Sequence, residues 1–158
     1  MITAERYHDF SCGHRVHGHE GKCRGLHGHN YRITFVVRGE ASALDALGRV
    51  VDFSVIKEKL CLWLEDNWDH RFLLWENDPF FDVLSALFTD NRNTDPVDMD
   101  HLQQSIVRVP FNPTAENMAA HLLHVIGPQQ MRGSGVKLIR VRVEETRKCS
   151  AVAEDVTA

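Results

Sequence analysis

The sequence predicts one α+β domain in which an antiparallel β-sheet carries two helices on one face. Three observations lead to this prediction. Several segments alternate apolar and polar residues with the period of a β-strand, two others repeat apolar residues at the helical spacing, and the segments follow one another as strand, strand, helix, helix, strand. With 158 residues, 43% of them hydrophobic and 25% charged, the chain has the length and composition of a single globular domain.

The first two strands are predicted for residues 2–14 and 27–37. In the first strand most even positions are apolar, and that side ends in His14. In the second strand the odd positions begin with two histidines and continue with aromatic and aliphatic residues. The connecting residues 15–25 contain several glycines and charges, which predicts a loop.

The first helix is predicted for residues 54–67, after a short strand segment at residues 49–53. Its apolar side chains recur at the spacing i, i+4, i+7 and i+8, and Asp52 or Ser54 could cap its first turn. Residues 76–109 have the weakest pattern of the chain. They include an acidic stretch, 90–100, that is predicted to be an exposed loop.

The second helix is predicted to follow Thr114, its N-cap, and to end at Gly127-Pro128, with glycine at the C-terminal cap and proline just beyond it. The last strand is predicted for residues 136–146. Its odd side is apolar and then ends in a carboxylate, Glu145.

The predicted domain therefore spans residues 1–149, and residues 150–158 are expected to form a loose tail. The net charge of −4 disfavours nucleic acid or an anionic membrane as the main partner, although an anionic small molecule could still bind locally to basic residues. No apolar run reaches the length of a membrane span and no secretion signal begins the chain, so we expect a cytoplasmic protein. The four cysteines form no CxxC pair, which predicts free thiols.

Histidines spaced for metal binding stand at the start of the second strand. Residues two apart on a strand point to the same face, so His27 and His29 can converge on one ion. His14 is the best candidate for a third ligand, because a hairpin-like return brings the end of the first strand beside the start of the second. Three imidazoles with an open position are typical of catalytic zinc. The similar pair His17 and His19 lies in the glycine-rich loop and is expected to be solvated.

Cys23 precedes the histidine pair by four residues and has two possible uses. It could be a fourth, structural zinc ligand, or it could be a general base, which requires help because little of an ordinary thiol is ionised at neutral pH. Asp69-His70 could supply that help, since a carboxylate can steady a histidine beside a thiol. Glu145 could hold a flat ligand with adjacent N–H donors, or it could simply mark the solvent end of its strand.

These residues fall in motifs that resemble, in content and order, those of the 6-pyruvoyl-tetrahydropterin synthase / 6-carboxytetrahydropterin synthase (QueD) family. The motifs are His14 in Cys-Gly-His-Arg, Cys23-x-x-x-His27-Gly-His29-Asn-Tyr, Gly48-Arg-Val-Val-Asp52-Phe53, Asp69-His70, Pro113-Thr114-Ala-Glu116-Asn117 and Val143-Glu-Glu145-Thr146. The resemblance extends from residue 8 to about residue 147. It implies the tunnelling fold (T-fold), whose trimers pair into hexamers around a central barrel with active sites at subunit interfaces.

The resemblance assigns three groups of site residues by position: zinc ligands (His14, His27 and His29), a catalytic thiol with its proton-transfer partners (Cys23, Asp69 and His70), and substrate-binding residues (Glu145, Thr114 and Glu116). Glu145 is expected to anchor the pterin. Glu116 is also an ordinary acid for the first turn of a helix.

The activity implied by the resemblance is that of a zinc-dependent lyase. It would convert 7,8-dihydroneopterin triphosphate to 6-carboxy-5,6,7,8-tetrahydropterin with loss of triphosphate and acetaldehyde, in the queuosine (7-deazaguanine) pathway. A 6-pyruvoyl-tetrahydropterin synthase, which serves the tetrahydrobiopterin pathway, has a compatible motif spacing and is the alternative. The alternative of another class is a non-catalytic zinc-stabilised binding protein with Cys23 as the fourth ligand.

The sequence departs from the family pattern at residues 76–109. Compact members pass more directly from the Asp-His motif to Pro-Thr-x-Glu, so this acidic and partly helical segment is expected to be an insertion. The Asp-His motif here continues as Arg-Phe-Leu-Leu, without the Asn that often follows the leucine.

Overall fold

The computed structural model describes residues 2–39, 44–87 and 96–156. These ranges contain one six-stranded sheet with the strand order β4-β3-β1-β2-β5-β6. The strands are β1 (Ala4–His14), β2 (His27–Gly39), β3 (Phe72–Trp75), β4 (Ile106–Val109), β5 (Val136–Thr146) and β6 (Cys149–Glu154). The α+β class predicted from the sequence is confirmed.

Strands β1 and β2 form the antiparallel hairpin that the alternating patterns predicted. The register pairs His14 directly with His27 at the loop end of the hairpin. Between the two histidines of β2 lies Gly28, where an added Cβ would stand 2.9 Å from the carbonyl oxygen of Cys12. A side chain at that position would therefore push the two strands apart where the histidines meet.

The prediction of an entirely antiparallel sheet is wrong, because β3 runs parallel to β1 and β4 runs parallel to β3. Strand β3 follows α1 and runs antiparallel to β2, the strand before that helix, which makes it parallel to β1. Strand β4 runs parallel to β3, the preceding strand, and parallel neighbours require a long crossover connection such as the residues between β3 and β4 provide. The sheet is therefore mixed. Its antiparallel half is formed by β1, β2, β5 and β6, of which β5 pairs with β2 and β6 pairs with β5.

Helix α1 covers residues 53–67 and combines α-helical Phe53–Ile56 and Leu62–Asn67 with an intervening π-helical turn, Lys57–Cys61. The helix begins as predicted, with the Asp52 carboxylate accepting a bond from the backbone N–H of Ser54 at 2.9 Å. The strand segment predicted for residues 49–53 is wrong. Arg49 pairs with both Asp45 and Asp52, and these contacts close a turn instead of extending the chain.

Helices α2 (Phe80–Leu87) and α3 (Pro96–Gln104) lie between β3 and β4. The loop predicted for residues 90–100 is therefore wrong from residue 96 onwards, and residues 90–95 lie outside the described ranges. The presence of α2 and α3 agrees with the expectation that residues 76–109 are partly helical. That this segment is an insertion stays a prediction.

Helix α4 covers residues 115–130, with a π-helical turn, Leu122–Ile126, between Ala115–His121 and Gly127–Gln130. The end predicted at Gly127-Pro128 is wrong. The backbone N–H of Gly127 bonds to the carbonyl of Leu122, five residues earlier, as in a π-helical turn. The regular α-helical pattern of backbone hydrogen bonds is therefore already shifted just before Pro128. The N–H that Pro128 lacks costs the helix no further regular bond. A Cβ at position 127 would lie 2.7 Å from a terminal methyl carbon of Leu138, so a larger residue there would require the Leu138 side chain to move.

Residues 149–154 form the edge strand β6, so the prediction of a loose tail from residue 150 is wrong for most of that segment. Small residues alternate along β6, and their alternation is too weakly apolar to predict a strand. The core lies on one face of the sheet, where both long helices contribute to the same cluster as the inward side chains of β1, β2 and β5. Across residues 2–39, 44–87 and 96–156, every helix is too short or too polar to cross a membrane.

Candidate metal centre and active site

Three histidine side chains converge at the loop end of the β1–β2 hairpin. One nitrogen each from His14, His27 and His29 can be chosen so that all three lie within 4.8 Å of one another. The ring centroids of His14 and His27 are 4.4 Å apart, and those of His27 and His29 are 5.0 Å apart. The predicted placement of His14 beside His27 is confirmed, and these three residues are called the histidine cluster below.

Backbone carbonyls orient two of the three rings. The Nδ1 atom of His14 lies 2.7 Å from the carbonyl oxygen of Pro113, and the Nδ1 atom of His27 lies 2.9 Å from that of Gly25. A carbonyl can only accept, so each Nδ1 carries the proton and donates it, and each Nε2 is left with a free lone pair. Such outer hydrogen bonds are how proteins fix the tautomer of metal-binding histidines.

The Nε2 atoms of His27 and His29 are buried, and neither makes a hydrogen bond to the residues that the structure describes. Buried polar atoms without a partner are uncommon in folded proteins and call for an explanation such as an absent ion. Imidazole nitrogens suit zinc and other late transition metals, and three such ligands leave a coordination position open. The donor set therefore fits a resident metal ion.

A tyrosine and a glutamate border the histidine cluster. The hydroxyl group of Tyr31 lies 3.2 Å from His14 Nε2 and donates to Glu145 Oε1 at 3.4 Å. The same carboxylate oxygen lies 3.5 Å from His14 Nε2 and 3.7 Å from His29 Nε2. The carboxylate that continues the odd side of β5 thus faces the cluster, and its side chain is 23% exposed.

Burial controls the protonation of this region. It lowers the pKa of His14, whose ring is fully buried, although the bond to Pro113 acts in the opposite direction. Burial also lowers the pKa of His29, while the charge of Glu145 acts to raise it. Both rings therefore stay neutral to lower pH than exposed histidines, which is the form that binds a metal. Burial and the neighbouring charges of Cys12 and Glu145 raise the pKa of Tyr31 and keep it a hydroxyl donor.

Cys23 lies outside the group of ligand atoms that the three histidines form. It occupies the middle of a 3₁₀ turn, Lys22–Arg24, in the loop between β1 and β2, and its side chain is half-buried. Its backbone carbonyl accepts a bond from Val16 at 2.8 Å. The thiol is therefore carried by the loop that leads into the histidine pair without being one of the clustered ligand atoms.

Asp69 and His70 form a close pair at the edge of β1. Asp69 Oδ2 lies 2.9 Å from His70 Nδ1, and Asp69 Oδ1 accepts the backbone N–H of Ser11 at 3.0 Å. Burial acts to raise the pKa of Asp69, but the bonds from Ser11 and His70 outweigh it and lower that pKa, so the carboxylate stays ionised. His70 has a φ of 54°, a left-handed conformation that favours glycine and asparagine over other residues.

The imidazole of His70 is 84% exposed. It lines a cavity of about 790 Å³ together with Ser11, Asn30 and Arg32. These three residues alternate along β1 and β2 with those that face the core, and so point to the opposite face of the sheet. Among the described residues no hydrogen bond or ion pair joins the Asp69–His70 pair to the cluster, although His70 and His29 both line a second cavity of about 530 Å³.

The remaining predicted site residues lie at the start of helix α4. The Thr114 hydroxyl caps the helix by accepting the backbone N–H of Asn117 at 3.2 Å. Glu116 is an exposed acid of the first turn. The loop pair His17 and His19 stays outside the metal group, but His17 is held by its backbone, whose N–H and carbonyl both bond to the side chain of Asn112.

Sequence reasoning missed the groups that support the ligands. Pro113 and Gly25 act through carbonyls, which every residue possesses, so no side-chain pattern indicates them. Tyr31 could have been found, since it is the next inward-facing residue after the two histidines on β2.

Known proteins resemble the chain along nearly its whole length. The model of the 6-pyruvoyl tetrahydropterin synthase family matches residues 3–155. A 6-carboxy-5,6,7,8-tetrahydropterin synthase of Rickettsia felis is 33% identical over 149 residues, which is 94% of this chain and 97% of the relative. A Haemophilus influenzae protein of the same name is 26% identical over 140 residues, covering 87% of this chain and 92% of the relative.

Solved structures resemble the fold. An uncharacterized protein of Wolinella succinogenes superposes with a TM-score of 0.82 at 27% identity and covers 98% of both chains. The 6-pyruvoyl tetrahydropterin synthase of Caenorhabditis elegans superposes with a TM-score of 0.64, also at 27% identity, and covers 98% of this chain and 95% of its own.

Proposed function

Because the chain belongs to the 6-pyruvoyl tetrahydropterin synthase family, we propose that it is a lyase that converts 7,8-dihydroneopterin triphosphate to 6-carboxy-5,6,7,8-tetrahydropterin. Triphosphate and acetaldehyde are the other products. The choice of the carboxy product rests on the names of relatives that match more than four fifths of the chain. This activity would serve queuosine synthesis.

The observation that carries the proposal is the convergence of one ring nitrogen each from His14, His27 and His29 within 4.8 Å, with the Nε2 atoms of His27 and His29 buried and making no hydrogen bond to the described residues. We propose that these residues hold Zn²⁺. When bound, zinc would act as a Lewis acid on the oxygens of the substrate side chain. The protein contributes three imidazoles on the core face of the hairpin, two of them with tautomers fixed by the carbonyls of Pro113 and Gly25.

Cys23 is proposed as the general base that takes a proton from the substrate side chain onto its Sγ atom. An ordinary thiol is mostly protonated at neutral pH and requires an acceptor nearby. His70 is proposed as that acceptor. Its Nδ1 donates to the Asp69 carboxylate, which leaves Nε2 as the atom that receives and returns protons.

Glu145 is proposed to bind the 2-amino group and the adjacent ring N–H of the pterin, because a carboxylate can accept two parallel N–H bonds. Its position 3.5 Å from His14 would place the pterin beside the metal centre. Thr114 and Glu116 are proposed to flank the same pocket. Thr114 has a second effect, since capping α4 also fixes the carbonyl of Pro113 next to it.

We propose that the working enzyme is a homo-oligomer, a hexamer formed by two trimers. The support is geometric. The imidazole of His70 is 84% exposed and contacts Asp69 without contacting the histidine cluster, so another copy of the chain has access to it and a site that uses both groups can combine His70 of one copy with the cluster of another. A monomer is accordingly expected to be inactive.

The test is product analysis after purified protein is incubated with 7,8-dihydroneopterin triphosphate. The proposal expects 6-carboxytetrahydropterin together with equal amounts of acetaldehyde and triphosphate. A 6-pyruvoyl product without acetaldehyde would instead assign the chain to the tetrahydrobiopterin pathway. Unchanged substrate in zinc-loaded protein would support the non-catalytic alternative, in which Cys23 is a fourth metal ligand.

A further inference from the structure

We infer that Asp78 positions the loop that carries Cys23, and that it does so through an ion pair with Arg15. The loop consists of residues 15–26 and is called the Cys23 loop below. The inference rests on the proposed function, because it concerns the placement of the proposed base. It also gives a purpose to the start of the segment 76–109, in which the sequence departs from the family pattern.

Asp78 is a buried carboxylate, only 3% exposed, at the entry to helix α2. Its Oδ1 atom accepts the backbone N–H of Phe80 at 2.9 Å, and its own N–H donates to the carbonyl of Trp75 at 3.0 Å. These bonds hold the carboxylate in one orientation. A buried carboxylate requires a cationic partner, since an uncompensated charge in the protein interior is strongly destabilising.

The partner is Arg15. Its Nε atom lies 2.9 Å from Asp78 Oδ2 in an ion pair that lacks the geometry of a hydrogen bond, and its guanidinium carbon lies 5.2 Å from the centre of the Phe80 ring. The Arg15 side chain is itself only 16% exposed. Asp78 therefore neutralises the charge of Arg15. Because the pair carries no net charge, it acts on the site by fixing the position of the Cys23 loop.

Arg15 is well placed to transmit this restraint. It directly follows the metal ligand His14, and the next residue, Val16, is buried and donates its backbone N–H to the carbonyl of Cys23 at 2.8 Å. On the same side, His17 Nδ1 lies 3.7 Å from Asp78 Oδ1. The Cys23 loop is thus anchored at its first residues by Asp78, one hydrogen bond away from Cys23.

Asn112 supplies the second anchor of the same loop, through its two bonds of 2.9 and 2.8 Å to the backbone of His17. Because Asn112 stands next to Pro113, this anchor joins the loop to the carbonyl that orients His14. Asp78 holds Arg15 and Asn112 holds His17, which are the two ends of the stretch 15–17. Loss of Asp78 should therefore free the Arg15 side without releasing the metal.

The experiment compares Asp78→Asn with Asp82→Asn in the full-length, zinc-loaded protein. Asp82 is an exposed acid on the same helix, so the control makes the same chemical change outside the anchor. In Asp78→Asn we expect kcat to fall about 10-fold to 100-fold, because small displacements of a catalytic group have effects of this size. The KM and the zinc content should match wild type.

The second readout is independent of turnover. Iodoacetamide labelling of native protein, resolved by peptide mass spectrometry, should show faster alkylation of Cys23 in Asp78→Asn, because its loop is less restrained. Labelling of the exposed Cys149 should not change and serves as an internal reference. Arg15→Gln should reproduce both effects, and the double variant should be no worse than Arg15→Gln alone.

The inference is overturned if Asp78→Asn retains wild-type kcat and wild-type Cys23 labelling, or if the effects of Asp78→Asn and Arg15→Gln add. If Asp78→Asn fails to fold, Arg15→Gln alone decides by the same two readouts. If wild-type protein turns over no substrate, the proposed function fails while the labelling comparison still decides the position of the loop.

Discussion

The histidine cluster and the Asp69–His70 pair lie at the same end of β1 but differ in burial and in backbone conformation. In the cluster His14 is buried while His27 and His29 are half-buried, and the carbonyls of Pro113 and Gly25 accept hydrogen bonds from the rings of His14 and His27. The pair stands at the strand edge, where the His70 imidazole is 84% exposed and its backbone is left-handed.

This contrast shows which part of the site one protomer can complete alone. The metal-binding side needs no second chain, because its ligands and the carbonyls that orient them are all present and packed. The proton-transfer side has its carboxylate–imidazole bond, but the imidazole faces solvent. Variants of the two regions should therefore differ in whether they affect metal binding and in whether a second subunit can rescue them.

The largest effect is expected for His27→Ala. Removing one of three ligands leaves two imidazoles, too few for a protein zinc site. Zinc affinity should fall by more than about 100-fold, since even loss of an outer-shell partner costs 10-fold to 100-fold, and turnover should disappear. Metal analysis after dialysis and an assay with added zinc measure both quantities. A variant that keeps zinc would remove His27 from the metal centre.

Cys23→Ala should abolish most turnover while leaving the metal in place. Loss of a positioned general base lowers rates by about 10²-fold to 10⁴-fold, whereas the histidine cluster does not include the thiol. The assay combines kcat, zinc content and the thermal midpoint. Loss of zinc together with unfolding would contradict the catalytic role of Cys23 and would favour the alternative, a non-catalytic protein in which Cys23 is a fourth zinc ligand.

His70→Asn tests whether the exposed pair acts across a subunit boundary. Asparagine tolerates the left-handed conformation of this position, so the backbone should be preserved. The variant alone should lose roughly 10²-fold in kcat and keep its zinc. Co-expression with Cys23→Ala should then restore about a quarter of the sites, if oligomers assemble at random. No recovery in verified mixed oligomers would mean that Cys23 and His70 act within one chain.

Sequence reasoning predicted the buried region better than the exposed one, for a physical reason. Period-two alternation decides which face of a strand a side chain occupies, so the convergence of His27 and His29 followed from spacing, and that of His14 from the return of the hairpin. Strands β3 and β4 are four-residue segments, too short for any period to emerge. The burial of Asp78 depends on a partner far away in sequence, and such pairing cannot be deduced from local pattern.

Glu145→Gln should have a moderate effect that separates substrate binding from metal binding. A neutral amide can donate as well as accept, so one of the two N–H bonds to the pterin loses its charged acceptor. The KM is expected to rise about 10-fold, the value of one charge-assisted hydrogen bond, with zinc content unchanged. If the variant instead loses zinc, Glu145 belongs to the buried metal region and not to the pterin pocket.

The smallest effect concerns the pH dependence of stability in metal-free protein. Burial lowers the pKa of His14 in the folded state, whereas the unfolded chain takes up this proton near the ordinary value of about 6.5. The stability contributed by the neutral ring is therefore fully present above that value and is lost as pH falls through the lower, folded pKa. Urea unfolding of chelator-treated protein between about pH 7.5 and pH 5.5 measures the slope. His14→Asn should flatten it. Equal slopes in wild type and His14→Asn would mean that the buried region does not limit the acid stability of the fold.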